Sequence, residues 1–284
     1  MENKAERRRA EFVRAFRIAY DGRPFYGFQR QPSVPTVENE LFDALDRLGA
    51  FDAEADRKPP GYAAAGRTDA GVSALGQTVG FDCPEWCTPR ALNAELPADV
   101  RAWAAADAPE DFHATHDAVR REYVYDRYAP DADPALARAA ADALSGEHDF
   151  HNLTGDDDGT VRDLSVDVDP DGEFLVVRVA ADGFSYELVR RLVSLVHGVA
   201  AGDRSPASVK DVLGPEPLTG AEAVPAAPPE PLLLERVVYP ALTFERDPQA
   251  AESAVDIFES RRRDGLVRAR VAGRIRAGVG EGEE

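Results

Sequence analysis

The residues best suited to chemistry lie in Ala65–Gln77, which reads AGRTDAGVSALGQ. Gly66 and Gly71 bracket Arg67-Thr68-Asp69-Ala70, with apolar runs at Tyr62–Ala65 and Gln77–Phe81 on either side. The pattern reads as a strand, a tight loop and a return strand. Glycine tolerates the backbone angles and close approaches that such a loop needs. A carboxylate fixed there can act as a nucleophile or a general base. The plainer alternative is a turn whose aspartate caps its own backbone. A partly desolvated carboxylate is favoured by a cation within about 4–6 Å. Arg67 is near in sequence, but alternation along an extended loop aims it beside or away from Asp69. Arg190 is the other candidate, in Leu188-Val189-Arg190-Arg191-Leu192. Helical phase sets it beside an apolar stripe, where an arginine needs a partner or a ligand. Arg191 faces outward in the same phase.

Tyr123 lies in Arg120-Arg121-Glu122-Tyr123-Val124-Tyr125. An aromatic among arginines on an open sheet face suits base stacking and phosphate contact. A core tyrosine with a satisfied hydroxyl is the competing possibility. The histidines (His113, His116, His148, His151 and His197) are scattered and form no HExxH pair. Glycine-rich nucleotide loops and the GxSxG hydrolase elbow are absent. Cys83 and Cys87, in CPEWC, have no second Cys/His pair after them. A metal site needs about four ligands, so they read as idle thiols and no metal is expected.

The chain carries 52 acidic against 33 basic residues, a net charge of −19, and its only lysines are Lys4, Lys58 and Lys210. Such acidity fits a salt-rich cytoplasm, where dense carboxylates hold water and screening shortens their repulsion to about 3 Å at 1 M salt. It disfavours a nucleic-acid partner unless cations gather in one place, and an RNA binder would show a basic cleft around Arg67, Arg121, Arg127 and Arg190. The polar opening MENKAERRRAEF lacks the apolar core of a signal peptide. No apolar run reaches the roughly 20 residues of a membrane span. The expected location is the cytoplasm.

The elements that must position these residues follow from periodicity. Phe12–Tyr20 alternates as a strand. Thr36 caps a helix that ends at Gly49. Pro89–Ala94 is a short helix and Val100–Ala106 a strand. The second half repeats the order: strand Val119–Tyr128, helix Pro134–Leu144, polar loop Ser145–Asp158, and a hairpin of Val161–Asp169 with Glu173–Ala181. Helix Tyr186–Ala201, short helix Pro206–Leu213 and strand Leu232–Tyr239 complete it. We expect an α+β fold of two related subdomains, residues 1–107 and 108–247. Their mostly antiparallel strands join in one sheet, with helices outside and a cleft between. Residues 248–284 should be a helix to Arg263 and then a flexible Arg- and Gly-rich tail.

The loop Gly66-Arg67-Thr68-Asp69-Ala70-Gly71-Val72 resembles the signature of the TruA family of tRNA pseudouridine synthases. Further stretches agree in order: Tyr20-Asp21-Gly22, Tyr26 to Gln31 (YGFQRQ), Thr36-Val37-Glu38, Asn93 to Pro97 (NAELP), and Asp111-Phe112-His113-Ala114. Arg121 to Tyr125 (REYVY), Gly146 to Phe150 (GEHDF) and Leu188-Val189-Arg190 complete the set, so the likeness spans Phe12 to Tyr239. The resemblance implies RRM-like subdomains, a homodimer, no cofactor, and isomerisation of uridine in the tRNA anticodon stem-loop at positions 38–40. It implies that Asp69 is catalytic, that Arg190 pairs with it, and that Tyr123 stacks on the uracil. Arg67 would enter the helix and hold the flipped nucleotide out. Thr68, Gln29, Arg121 and His113 fall in the same motifs as substrate contacts. Ser73 and Thr115 depart from the family, which more often has histidine and arginine there.

Two other readings fit the same residues. One is a non-catalytic RRM-like RNA-binding protein stacking bases on Tyr123 and Tyr125. The other is an enzyme for small phosphorylated substrates, with the Gly-flanked loop as a phosphate cradle.

Overall fold

The computed structural model describes Phe12–Gly280. Met1–Glu11, which hold the polar opening, and Glu281–Glu284, the end of the expected tail, lie outside the described residues. The strands are β1 (Phe12–Tyr20), β2 (Ala63–Ala64), β3 (Ser73–Cys83), β4 (Val100–Ala108), β5 (Arg120–Tyr128), β6 (Gly146–Asp149), β7 (Val161–Asp171), β8 (Phe174–Ala181), β9 (Leu232–Val238) and β10 (Glu245–Arg246). The helices are α1 (Val37–Leu48), α2 (Pro89–Glu95), α3 (Pro134–Leu144), α4 (Leu188–Ala200), α5 (Ser208–Val212) and α6 (Pro248–Gly280).

All ten strands form one sheet in the order β10-β4-β1-β3-β9-β5-β8-β7-β6, with β2 paired to β3. Every pairing is antiparallel except β3 with β9, where Ser73 and Ala74 lie opposite Leu233 and Leu234. That short parallel seam joins the two halves. It begins immediately after the Gly66–Val72 loop, so the loop sits where the halves meet.

Two hydrophobic cores lie along the sheet. The first packs Phe16, Ile18, Tyr20 and Phe81 against α1 residues Leu41 and Leu45 and α2 residue Leu92. The second packs Tyr125, Val177 and Val179 against α3 and α4, through Leu144, Leu188, Leu192 and Val196. The partition is not strictly by sequence. Leu234, Val237 and Tyr239 join the first core, and Val72 joins the second. Tyr123 borders both. It therefore stands in the gap between two helix-covered regions rather than on a bare sheet face.

Local signals explain most elements. Thr36 caps α1 by accepting the Asn39 N–H at 3.3 Å, and Gly49 ends it at φ 72°. Gly172 turns the β7–β8 hairpin at φ 59°. Two expectations fail. Gly146–Asp149, read as loop, pairs with β7, because neighbouring backbone supplies hydrogen bonds that a polar sequence does not announce. The helix expected to end at Arg263 runs on to Gly280. Its arginines and alanines are good helix formers and outweigh the glycines, which cost about 1 kcal/mol each.

Candidate active site

The Gly66–Val72 loop is held from below by groups belonging to the first core. Thr68 is buried, and its hydroxyl lies 2.8 Å from the hydroxyl of Tyr20. Gln77 donates to the Gly66 carbonyl at 2.9 Å. The backbone N–H of Phe28 bonds the Thr68 carbonyl at 3.0 Å, and that of Gly71 bonds the Phe25 carbonyl at 3.3 Å. Two glycines permit this packing. A Cβ on Gly22 would fall 2.0 Å from the Val72 carbonyl oxygen, and Gly27, at φ 96°, presses against the Thr68 carbonyl. Ser73 uses its hydroxyl to accept the Gly22 N–H at 3.0 Å. All but the Thr68–Tyr20 hydroxyl pair fix backbone, so the loop is rigid where its side chains emerge.

Asp69 emerges partly exposed into a groove of about 1740 Å³ between the two cores. Arg190, on the first turn of α4, donates to its Oδ2 at 3.0 Å, with side-chain exposures of 13% and 26%. Arg190 also donates to the Ala227 carbonyl at 2.8 Å and lies 3.4 Å from Glu187. The guanidinium is thus aimed by three acceptors. Glu187 sets this up from φ 59°, the sole left-handed non-glycine conformation among the described residues. A residue held there costs on the order of 1–3 kcal/mol and marks a place where structure is constrained for geometry. The sequence carried no signal for it.

Tyr123 forms the adjoining wall. Its ring meets Phe184 edge-on, centroids 5.1 Å apart at 88°. Burial raises its hydroxyl pKa to about 12, Arg121 opposes that, and the Asp69 carboxylate adds to it. The phenol is accordingly neutral at physiological pH. Arg67 is exposed beside the groove, and Gln29 lies exposed on its lip. His113 lines the groove and stacks on His116 at 4.2 Å. Its Nδ1 accepts the Thr115 N–H at 3.3 Å, and Thr115 ties its hydroxyl to the Ala64 carbonyl at 2.6 Å.

Two arginines differ from expectation. Arg121 touches the groove but is buried, and its donors are spent on backbone. It bonds the Ala65 carbonyl at 3.0 and 2.7 Å, the Thr115 carbonyl at 2.7 Å, and the Asp182 carbonyl. It clamps the strand leading into the Asp69 loop to β5 and the turn after β8. Arg127, expected in a basic cleft, instead lies beside His197, Nη2 to Nδ1 at 3.4 Å, lining a separate cavity of about 190 Å³ against α4.

The groove is close to charge balance, unlike the acidic chain as a whole. It is lined by seven cations (Arg30, Arg57, Lys58, Arg67, Arg121, Arg162 and Arg190) against six carboxylates (Glu38, Glu54, Asp56, Asp69, Asp156 and Glu187). Over the whole chain carboxylates outnumber cations 52 to 33. The acidic excess of the chain is therefore absent from this surface.

Known proteins place the chain in a family. It is 59% identical over 266 residues to the tRNA pseudouridine synthase A of Natronomonas pharaonis, covering 93% of this chain and 98% of that one. The chain belongs to the tRNA pseudouridine synthase A family. The Haloarcula marismortui protein of that name is 53% identical, covering 94% of this chain and 100% of its own. That of Methanothrix thermoacetophila is 41% identical, covering 88% and 92%. The tRNA pseudouridine synthase family model matches residues 140–240. The acid-rich composition fits the salt-adapted members of the family. A chain in the solved Cbf5-Nop10-Gar1 complex aligns at 12% identity and a TM-score of 0.36, covering 70% of this chain and 48% of that one. Among the described residues no helix is long and apolar enough to cross a membrane, and no group of metal-ligating side chains comes together. Cys83 and Cys87 are buried, free thiols in the first core.

The geometry brings Asp69, Arg190, Tyr123, Arg67, Thr68, Gln29 and His113 to one groove. Thr68 and Arg121 serve it through structure, the first beneath the loop and the second behind it. Sequence reasoning missed Tyr20, Gln77, Phe184 and Glu187, whose roles exist only through contacts distant in sequence. Tyr125, a candidate stacking residue, is wholly buried and bonds the Pro228 carbonyl at 3.0 Å.

Proposed function

We propose that this protein isomerises uridine to pseudouridine in tRNA, with Asp69 as its catalytic carboxylate. The observation carrying the reading is the Asp69–Arg190 pair at 3.0 Å, held beside Tyr123 in a groove that is near charge balance on an otherwise acidic chain. The reaction breaks the N1–C1′ bond, turns the uracil and rejoins it through C5, from which a proton leaves. It needs a base flipped out of its stack and a carboxylate near C1′. It also needs a wall that retains the detached ring.

Arg190 fixes which Asp69 oxygen is free, because Oδ2 is engaged. Oδ1 is left to meet the sugar or the base. Tyr123 supplies a flat, neutral surface for the uracil, and Arg67 occupies the space that the base vacates. Gln29 and His113 meet the flanking nucleotides. We assign the target to the anticodon stem-loop, and the working form to a cytoplasmic homodimer without cofactor. Burial of Tyr125 favours the enzyme over a sheet-face RNA-binding module, which would need both tyrosines open.

Asp69→Asn keeps the shape and the Arg190 hydrogen bond while removing the anion. It should bind tRNA with wild-type affinity and lose at least about a thousandfold in rate, the scale for removing an essential nucleophile or base. Tritium release from C5-labelled uridine in tRNA measures it. Turnover near wild type would overturn the assignment. Mass spectrometry of the tRNA product locates the modified uridines.

A further inference from the structure

α6 is 33 residues long, yet its buried residues are Ala250, Ala251 and Ala254, near its start. Arg261 makes a last anchor to the body, bonding Asp21 at 2.6 Å and Asp99 at 2.5 Å. From Arg262 to Gly280 every residue is exposed. At about 1.5 Å per residue, the helix extends some 28 Å beyond Arg261. Asp21 adjoins Gly22, which packs on Val72 of the catalytic loop. The exposed segment is therefore anchored through a residue next to the glycine that packs on the catalytic loop, and farther along Arg276 comes within electrostatic reach of Tyr128 on β5.

Its charge differs from that of the rest of the chain. Gly265–Gly280 holds Arg268, Arg270, Arg274 and Arg276 and no carboxylate, in a chain of net −19. One turn earlier, Arg262 and Arg263 close on Glu259 at 2.7 and 2.8 Å. None of the four distal arginines has a hydrogen bond or ion pair among the described residues. They flank an exposed stripe of Val267, Val271, Ile275 and Val279, with Arg268 and Arg276 on one side and Arg270 and Arg274 on the other. In so acidic a chain, four adjacent unpaired guanidinium groups are the feature most complementary to a polyanion.

We propose that the distal half of α6 is an arm that grips the tRNA phosphate backbone away from the uridine in the groove. The proposal rests on the tRNA reading above. Guanidinium forks match phosphate oxygens two at a time, and each neutralised phosphate releases bound counterions. An acidic body repels RNA at long range, so an arm carrying unpaired cations supplies attraction where the body cannot. Its reach suits phosphates outside the segment whose base is flipped.

The test replaces Arg268, Arg270, Arg274 and Arg276 together with glutamine, after wild-type protein has been shown to form pseudouridine. Circular dichroism checks that the helix remains. KM and kcat are measured on whole unmodified tRNA and on an isolated stem-loop carrying the target uridine, and affinity is titrated against salt. On whole tRNA, KM should rise roughly tenfold or more with kcat within about twofold, and the log–log salt slope should become shallower by about 3. The stem-loop should be unaffected, and the four lysine replacements should keep most of the affinity. Unchanged tRNA affinity and slope overturn the proposal. So does an equal loss on the stem-loop, which would place the arginines at the groove. A changed oligomeric mass, or lost binding to anionic vesicles, at unaltered tRNA affinity would reassign the arm to a second copy or a membrane. Wild-type protein that binds tRNA without modifying it would instead defeat the catalytic reading and leave the arm testable by titration.

Discussion

The two walls of the groove are built by different means. The wall carrying Asp69 belongs to the first core and is fixed mainly through backbone: Gly22 and Gly27 against the loop and Gln77 on the Gly66 carbonyl, with the Tyr20–Thr68 hydroxyl pair beneath. The opposite wall is fixed through side chains: Arg190 aimed by Asp69, Glu187 and Ala227, and Tyr123 braced by Phe184. The contrast suits the proposed reaction. A carboxylate that must meet one sugar atom gains from a rigid mount, because small misplacements are expensive in rate. A wall that must hold a uracil through its rotation gains from a flat ring and a cation that can readjust. Substitutions on the first wall should therefore damage folding and catalysis together, and those on the second should damage catalysis alone.

The largest effect expected after loss of Asp69 itself is on the second wall. Arg190→Met removes the cation that orients the Asp69 carboxylate, and misplacing a catalytic group costs roughly a hundredfold in kcat, about 3 kcal/mol. The melting temperature should change little, because Glu187 keeps its bridge to Arg191 at 2.8 Å. A variant with unaltered kcat would break the link between the walls. On the first wall, Gly22→Ala drives a methyl into the Val72 carbonyl, 2.0 Å away. Overpacking of this kind costs about 3 kcal/mol. Calorimetry should show a lower melting point and kinetics a lower kcat, since Val72 moves the loop. A fall in stability with full activity would show the backbone mount to be dispensable.

The smallest effect concerns Tyr123. Losing the ring in Tyr123→Leu should cost about 1–3 kcal/mol of base stacking, seen as a raised KM or a slower single turnover. Tyr123→Phe keeps the ring and should stay near wild type. Because burial holds the hydroxyl at about 12, the phenol is neutral on both sides of pH 7. The two proteins should then share one pH–rate profile from pH 6 to 10. A limb present only with tyrosine would show the hydroxyl itself moving a proton.

Much of the fold was legible because it follows from local rules. Alternation marked β1 and β5, the Thr36 cap and Gly49 bounded α1, and Gly172 placed the hairpin. β6 was not legible, since its pairing with β7 is nonlocal. The full length of α6 was missed because glycines in an arginine-rich stretch resemble an unfolded tail. At the site, the GRTDAG loop and the odd position of Arg190 on an apolar helix were readable as chemistry without a partner. The job of Arg121 was not, because a strand arginine looks the same whether it faces RNA or three carbonyls.

The sequence by itself determined which atoms are available: one glycine-framed carboxylate, one arginine out of place on a helix, and one aromatic among cations. It also set an acidic surface that leaves few cations to spend. Only the tertiary structure decided where they meet. Asp69 and Arg190 are 121 positions apart and reach 3.0 Å because the short β3–β9 seam joins the two halves at the loop. Sequence spacing fixes side-chain direction within an element, but the distance between elements is set by how two cores pack on one shared sheet.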